Sequence, residues 1–370
     1  MPTFERYVAI DWSANNTPKI GADSVWSCVG SRASADLLAR NHATRRAAES
    51  WLLDELVAAV GAGERILVGM DFPYGYPAGF AAALGLDGDP WRATWRYLTR
   101  LVVDDSGNKS NRFDVASDIN LRLGHAAPFW GRPQHQPIPH LPSRKEVNYK
   151  DAHHSDGLVE WRQVEQLLRR RGAQPQAAWK LAYPGSVGSQ TLLGIPVLER
   201  LRDHAALQAV SRVWPFEVLV PDLHLGSAAV VHAEIWPSIV PFSHEQGSCN
   251  DERQVRAVVR KWRELDRHDR LSQWFAAPDT DAARREEGWV LGVLPPGDAQ
   301  TFRRPTRQPT PSAKGVPHSP PPANTREGSV ASRPPCLCGC GQHPRGPRSR
   351  FMPGHDQRID PIKGRRIDDH

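Results

Sequence analysis

Three stretches of the chain share one pattern, a short unbroken apolar run that ends in an acid. They are Tyr7-Val-Ala-Ile-Asp-Trp-Ser13, Ile66-Leu-Val-Gly-Met-Asp-Phe-Pro73 and Ala229-Val-Val-His-Ala-Glu-Ile-Trp-Pro237. Apolar runs of this length without alternation read as buried strands, because a strand covered on both faces has no polar side. Each run delivers a carboxylate at its end: Asp11, Asp71 and Glu234. Between the first two, Ser24–Gly30 reads as a second strand and Asp36–Arg40 as a weaker third. Thr44–Val60 reads as a helix, with Trp51, Leu52, Leu56, Val57 and Val60 at helical spacing and Gly61 and Gly63 as its stop. The order β-β-β-α-β predicts an antiparallel start followed by a crossover to a parallel strand, which sets the Asp11 and Asp71 strands side by side.

Downstream, Asp71-Phe-Pro-Tyr-Gly-Tyr-Pro-Ala-Gly-Phe80 carries two prolines and two glycines and reads as a rigid turn. Residues 87–142 are aromatic-rich, with helices expected near Trp91–Val102 and Phe113–Leu123, and suit a cover over the sheet edge. A helix over 158–171 carries Arg162, Arg169, Arg170 and Arg171; another is expected near Val197–Leu207. Strands at Val213–Val220 and Ala228–Ile235 precede helices at Asp251–Leu265 and Thr280–Glu287. Past Pro295 the chain turns to Pro, Ser, Thr and Arg, which cannot bury enough apolar surface to fold. The expected organisation is one α/β domain over 1–294, a disordered Pro-rich linker over 295–334 and a small basic Cys/His module over 335–370.

Composition changes this picture in one respect. The net charge of +6 is not spread evenly: of 47 Lys+Arg and 41 Asp+Glu, residues 301–370 hold 13 and 5, leaving 34 and 36 in residues 1–300. The basicity therefore belongs to the tail, which suits a polyanionic partner such as nucleic acid, and the body is close to neutral. The 39% hydrophobic content permits a sizeable core, and no stretch approaches the roughly 18 apolar residues of a membrane span. Cys28 and Cys249 stand alone and the other three of the five cysteines bunch near the end, so no disulfide framework is indicated. With no basic patch and apolar run in Met1-Pro-Thr-Phe-Glu-Arg6, a cytoplasmic location is expected.

Carboxylates converging at strand ends repel one another unless a cation lies between them. All-oxygen ligands suit Mg²⁺ or Mn²⁺, and acids sharing two such ions are a standard device for hydrolysing phosphodiesters. Asp279 or Asp281, at the start of the last helix, could complete the set, with Asp281 the choice taken forward. A single acid after a strand is otherwise an ordinary turn former or helix cap. His232 alternates with Glu234 and shares its strand face, as a base, a ligand or a core histidine. Arg112 and Asp114, with Asp118 one turn on, read either as a phosphate-binding arginine with acids at a site mouth or as a solvated helix start. No P-loop, no G-x-G-x-x-G after a strand and no G-x-S-x-G elbow is present, which gives no support to nucleotide-dependent or serine-hydrolase classes.

The chain resembles the ribonuclease H-like fold and, within it, the DUF429 family of predicted ribonuclease H-like nucleases. The matching stretches are Val8-Ala-Ile-Asp-Trp-Ser13, Gly69-Met-Asp-Phe-Pro-Tyr-Gly-Tyr-Pro77, Arg112-Phe-Asp-Val-Ala116 with Leu123-Gly124, Gly188-Ser-Gln190, His232-Ala-Glu-Ile-Trp-Pro-Ser238 and Glu286-Glu-Gly-Trp-Val290. The resemblance implies a mixed sheet flanked by helices and a metal-dependent nuclease, with Asp11, Asp71 and Glu234 as ligands, an acid of the last helix as a fourth, and Gln190 near the substrate. The bulky Trp12 departs from the small residues usual after the first acid, which suits a small-substrate pocket as well as a groove. A phosphotransferase of the same fold and a non-catalytic nucleic-acid-binding scaffold are the alternatives.

The tail reads Cys336-Leu-Cys-Gly-Cys-Gly-Gln-His343, then Ser349-Arg-Phe-Met-Pro-Gly-His-Asp-Gln-Arg358. Three thiols and two imidazoles within some twenty residues suit tetrahedral Zn²⁺, with Cys336, Cys338, Cys340 and His355 as ligands and His343 as a substitute. Arg345, Arg348, Arg350 and Arg358 surround it and suit phosphate contacts.

Overall fold

Six strands form one mixed sheet in the order β3-β2-β1-β4-β6-β5, where β1 is Arg6–Asp11, β2 Val25–Ser31, β3 Leu37–His42, β4 Ile66–Met70, β5 Ser211–Trp214 and β6 Val230–Glu234. The computed structural model describes residues 3–146, 149, 157–183, 185–217 and 229–296. All but the first two residues of the expected 295–334 linker, and the whole 335–370 module with Cys336, Cys338, Cys340 and His355, lie outside the described residues.

β1 runs antiparallel to β2, and β2 to β3; β4 is parallel to β1, β6 to β4, and β5 to β6. The predicted β-β-β-α-β start is present. Its helix α1, Arg45–Gly61, begins where the Thr44 hydroxyl accepts from the Ala47 N–H, a side-chain cap for an otherwise unpaired donor. Strand pleating alternates the two faces. Val8, Ile10, Val68, Met70 and Val230 meet α1 (Ala48, Leu52, Leu56) and a long, buried helix over Gly188–Arg202. Tyr7, Ala9, Leu67, Val231 and Ala233 meet Val255, Val258, Val259 and Trp262 of the Asn250–Arg267 helix. Helices thus cover both faces, as a largely parallel sheet requires.

The remaining helices in chain order are α2 (Phe80–Ala83), α3 (Pro90–Leu101), α4 (Arg112–Leu123) and α5 (Gln163–Arg170); the two long ones above are α6 (Gly188–Arg202) and α7 (Asn250–Arg267). Three expectations are corrected. α5 starts only at Gln163, because Arg162 takes an extended conformation and Glu165 accepts its backbone N–H at 2.8 Å. α6 starts nine residues before the expected Val197 and runs through Gly194 and Pro196; the Phe72 ring packs on Gly194, leaving no room for a Cβ. The expected Thr280–Glu287 helix is mostly a single π turn over Ala283–Glu287. Among the described residues no helix is long and apolar enough to cross a membrane.

Candidate functional site

The register sets the geometry. Ile10 pairs with Met70, Met70 with Glu234, and the Asp71 N–H donates to the Ile10 carbonyl at 2.9 Å. The C-terminal ends of β1, β4 and β6 therefore stop at the same edge, bringing Asp11, Asp71 and Glu234 together there, where open α/β sheets bind ligands. Their environments then diverge.

Glu234 is buried and fully engaged. Its Oε1 accepts from Arg162 Nη2 at 2.6 Å, and its Oε2 from Arg162 Nη1 at 2.7 Å and from the Tyr74 N–H at 2.9 Å. Arg162 is 1% exposed and also donates to Glu165 from Nε at 2.8 Å and from Nη2 at 2.5 Å. Burial raises the Glu234 carboxyl against the opposing pull of Arg162, while the two flanking carboxylates lift the guanidinium and keep it charged. Desolvated charges persist in this way when paired at close range. Glu287 accepts from the Ala78 and Gln163 N–H groups, and Glu286 from those of Gly79 and Ala81. Together with Glu234 they tie down the loop that follows Asp71. Gly75 in that loop is obligatory, since a Cβ would overlap the Glu286 carbonyl oxygen.

Asp11 and Asp71 have no such partners: neither side chain accepts a hydrogen bond or joins an ion pair among the described residues. Burial, then the charges of Asp71, Asp251 and Asp23, hold the Asp11 carboxyl well above its ordinary range. Burial, then Glu234 and Asp251, push Asp71 up to about 7. Both side chains stay partly open to solvent. Asp11 lines a cleft of about 500 Å³ with Ser13, Asn15, Lys19, Asp23, Tyr183, Ser186, Gln190 and Asp251. Asp71 lines a neighbouring cavity of about 50 Å³ with Arg162, Glu165, Glu234 and Trp236.

The fourth acid is corrected. Asp281 is exposed and does not line the cleft, and Asp279 is exposed and pairs with Arg284 at 3.5 Å. Asp251, in the first turn of α7, lines the cleft instead: it raises both Asp11 and Asp71, is raised itself by burial, and accepts from the Asp23 N–H at 2.6 Å. The usable signal was the helix start itself, where an acid is favoured by the helix dipole and α7 packs across β1 and β2. Arg162 was also missed; the spacing Arg-x-x-Glu at 162 and 165 just before a helix was its signal.

His232 shares a face with Glu234 as expected but is fully buried, with Nε2 2.8 Å from the Ser211 hydroxyl. Burial lowers it to about 3, so it is a neutral core histidine and lines neither cavity. Arg112 is also buried: Nε donates to Ser189 at 2.9 Å, and Nη1 to Ser110 at 2.8 Å and to Asn16. Burial, then Arg45, lowers it to about 10. With Arg45, whose Nη1 donates to the Ser13 and Asn15 carbonyls, it braces the β1–β2 loop from behind. Asp114 and Asp118 are exposed on α4. Gln190 does line the cleft, its Nε2 donating to the Trp12 carbonyl at 2.6 Å. The Trp12 ring is 1% exposed and packs with Phe72 at a centroid distance of 6.1 Å, so it lies in the core and leaves the cleft open.

Among the described residues no group of three or more His, Cys, Asp and Glu side chains is arranged to hold a metal ion. The free donor set is a pair of carboxylates, which fits a hard cation that keeps most of its water: Mg²⁺ is commonly held by one or two carboxylates and completes its shell with water and substrate phosphate. Glu234 does not fit as a ligand while Arg162 holds both its oxygens. The chain matches no protein-family model, no curated protein and no solved structure.

Proposed function

We propose that the body is a metal-dependent phosphodiester hydrolase of ribonuclease H-like architecture, acting on nucleic acid. The observation that carries this reading is the pair Asp11 and Asp71: two unpartnered carboxylates at the ends of adjacent parallel strands, in mutual repulsion, Asp11 lining the larger cleft and Asp71 the smaller cavity. Leaving such groups unpaired is costly for a fold unless a ligand uses them. Asp11 and Asp71 would hold one Mg²⁺ or Mn²⁺, with Asp251 adding negative charge close by. When bound, such a cation supplies Lewis acidity toward a phosphoryl group and an attacking water. In the metal-free protein Asp71 is pushed up to about 7, so binding of the cation would release its proton and hold it ionised. Lys19, Ser186 and the second Nε2 hydrogen of Gln190 offer donors for the remaining polar atoms of a substrate. The Glu234–Arg162 pair fixes the loop behind Asp71, and so the position of that carboxylate. The Cys336, Cys338, Cys340 and His355 module would hold Zn²⁺ and, with its arginines, raise affinity for a polyanion through the linker.

The test is cleavage of end-labelled single-stranded, duplex and branched DNA and RNA with Mn²⁺, by the full chain and by Asp11→Asn. Cutting that needs the metal and disappears in the variant is the expected result. Metal-dependent cutting that survives the substitution would sink the assignment. Deleting 335–370 should weaken nucleic-acid binding and leave the intrinsic rate on short substrates unchanged.

A further inference from the structure

Two features of the Asp11 cleft are not used by the acid pair. Tyr183 lines it as a large hydrophobic side chain that is 42% exposed. Its φ of 75° is a left-handed conformation that a bulky residue adopts only when the surroundings impose it. The ring is held in place: its hydroxyl donates to the Arg132 carbonyl at 3.0 Å, and the Ser186 N–H closes a turn onto the Tyr183 carbonyl at 3.0 Å. Backbone strain of this kind gathers where a protein presents a side chain to a ligand.

The second feature is an orphaned polar atom. The side-chain oxygen of Gln190 has no hydrogen-bond partner, although Gln190 lines the cleft and its amide nitrogen is fastened to the Trp12 carbonyl. Buried polar atoms are almost always paired, so an acceptor left open in the cleft lining asks for a donor on a ligand. The amino and ring N–H groups on the edge of a nucleobase are such donors. An aromatic ring at the rim suits its face. The cleft, about 500 Å³, is within the range of small-ligand sites.

We propose that this cleft contains a nucleobase subsite, in which Tyr183 stacks on the base of a nucleotide while Gln190 Oε1 accepts from a donor on its edge. The proposal deepens the hydrolase reading and rests on it for the phosphate end of the same nucleotide. It makes the ligand a base-bearing phosphate, as opposed to a sugar phosphate or an inorganic polyanion.

Calorimetric titration of the full chain, with Ca²⁺ in place of Mg²⁺, tests it. The probes are the four nucleoside 5′-monophosphates and ribose 5-phosphate, which lacks the base. At least one nucleotide should bind about tenfold or more tighter than ribose 5-phosphate. Tyr183→Ala should remove that preference and leave ribose 5-phosphate binding unchanged; Tyr183→Phe should keep it; Gln190→Leu should alter which base is preferred. Equal binding of nucleotides and ribose 5-phosphate, or a preference that survives Tyr183→Ala, overturns the subsite. Ribose 5-phosphate binding that ignores Ca²⁺ and Asp11→Asn would instead count against the acid pair and leave the base preference standing. No binding of any of the five probes overturns both. An unchanged melting temperature for Tyr183→Ala shows that lost preference is not lost fold.

Discussion

Two ends of the same sheet edge, side by side in space, treat an acid in opposite ways. At β6, Glu234 is enclosed, bonded through both oxygens and matched by a buried guanidinium. At β1 and β4, Asp11 and Asp71 face each other's charge with no donor. All three follow an apolar strand, so position alone does not separate a structural acid from a chemical one. What separates them is the supply of donors. Arg162, presented just before α5, satisfies Glu234 and Glu165 together, and among the described residues none does the same for the aspartates. The first end behaves as a fixed part of the framework and the second as an incomplete site that a cation would complete.

The largest effect should come from breaking the enclosed end. Arg162→Met strands Glu234 and Glu165 without a counter-charge in the interior. The expected cost is about 3–5 kcal/mol, read as a fall of roughly 5–10 °C in melting temperature. Adding Glu234→Gln and Glu165→Gln to that variant should recover a large part of it. A melting temperature unchanged by Arg162→Met would mean that the two ends are not different in kind.

The open end should show its strain through pH. A carboxyl raised in the folded state favours the fold while it stays protonated. Its contribution is complete below the ordinary value of 3.8 and is lost as the pH rises through about 7. The metal-free protein should therefore lose stability between pH 4 and 8, by up to about 4 kcal/mol from Asp71. Asp71→Asn should flatten that slope and stabilise the metal-free protein at pH 8. A slope of the same size in the variant would assign the effect elsewhere. The buried histidines act at the other limb: His232 and His42, lowered to about 3 and about 4, stabilise the fold above pH 6.5 and destabilise it as the pH falls toward those values.

The sequence carried the sheet well and the site in part. Unbroken apolar runs and one helical period were enough for β1, β2, β4, β6 and α1, because burial on both strand faces leaves no other reading. The β-β-β-α-β order was enough to place Asp11 beside Asp71. Which acid would be satisfied was not legible, since it depends on an arginine 72 positions before Glu234 in the chain. Pleating also decides it: Tyr7 and Ala9 put Asp11 on the α7 face, whereas Val230 puts Glu234 on the other. Nothing in the sequence says which face is which. Asp251 was hidden for a related reason, because it comes from a helix that packs across the sheet from far along the chain. α6 was misread because its glycine and proline are tolerated only where the surrounding core fixes them.

A smaller effect concerns the outlying acids. Asp251→Asn should weaken the response to Mn²⁺ several-fold by removing one nearby charge, and Asp281→Asn, an exposed acid that does not line the cleft, should leave it unchanged. Equal effects from the two would restore the last helix as the source of the fourth acid.

The most direct measurement is the melting temperature of the full chain with and without Mn²⁺ at pH 7.5, for the native sequence, Asp11→Asn, Asp71→Asn and Glu234→Gln. A ligand at one hundred times its dissociation constant stabilises by about 2.7 kcal/mol. That increment should appear in the native protein, vanish in both aspartate variants and persist in Glu234→Gln, whatever its own starting stability. An increment that survives Asp11→Asn and Asp71→Asn, or one that disappears only in Glu234→Gln, contradicts the division of the three acids into an open pair and an enclosed one.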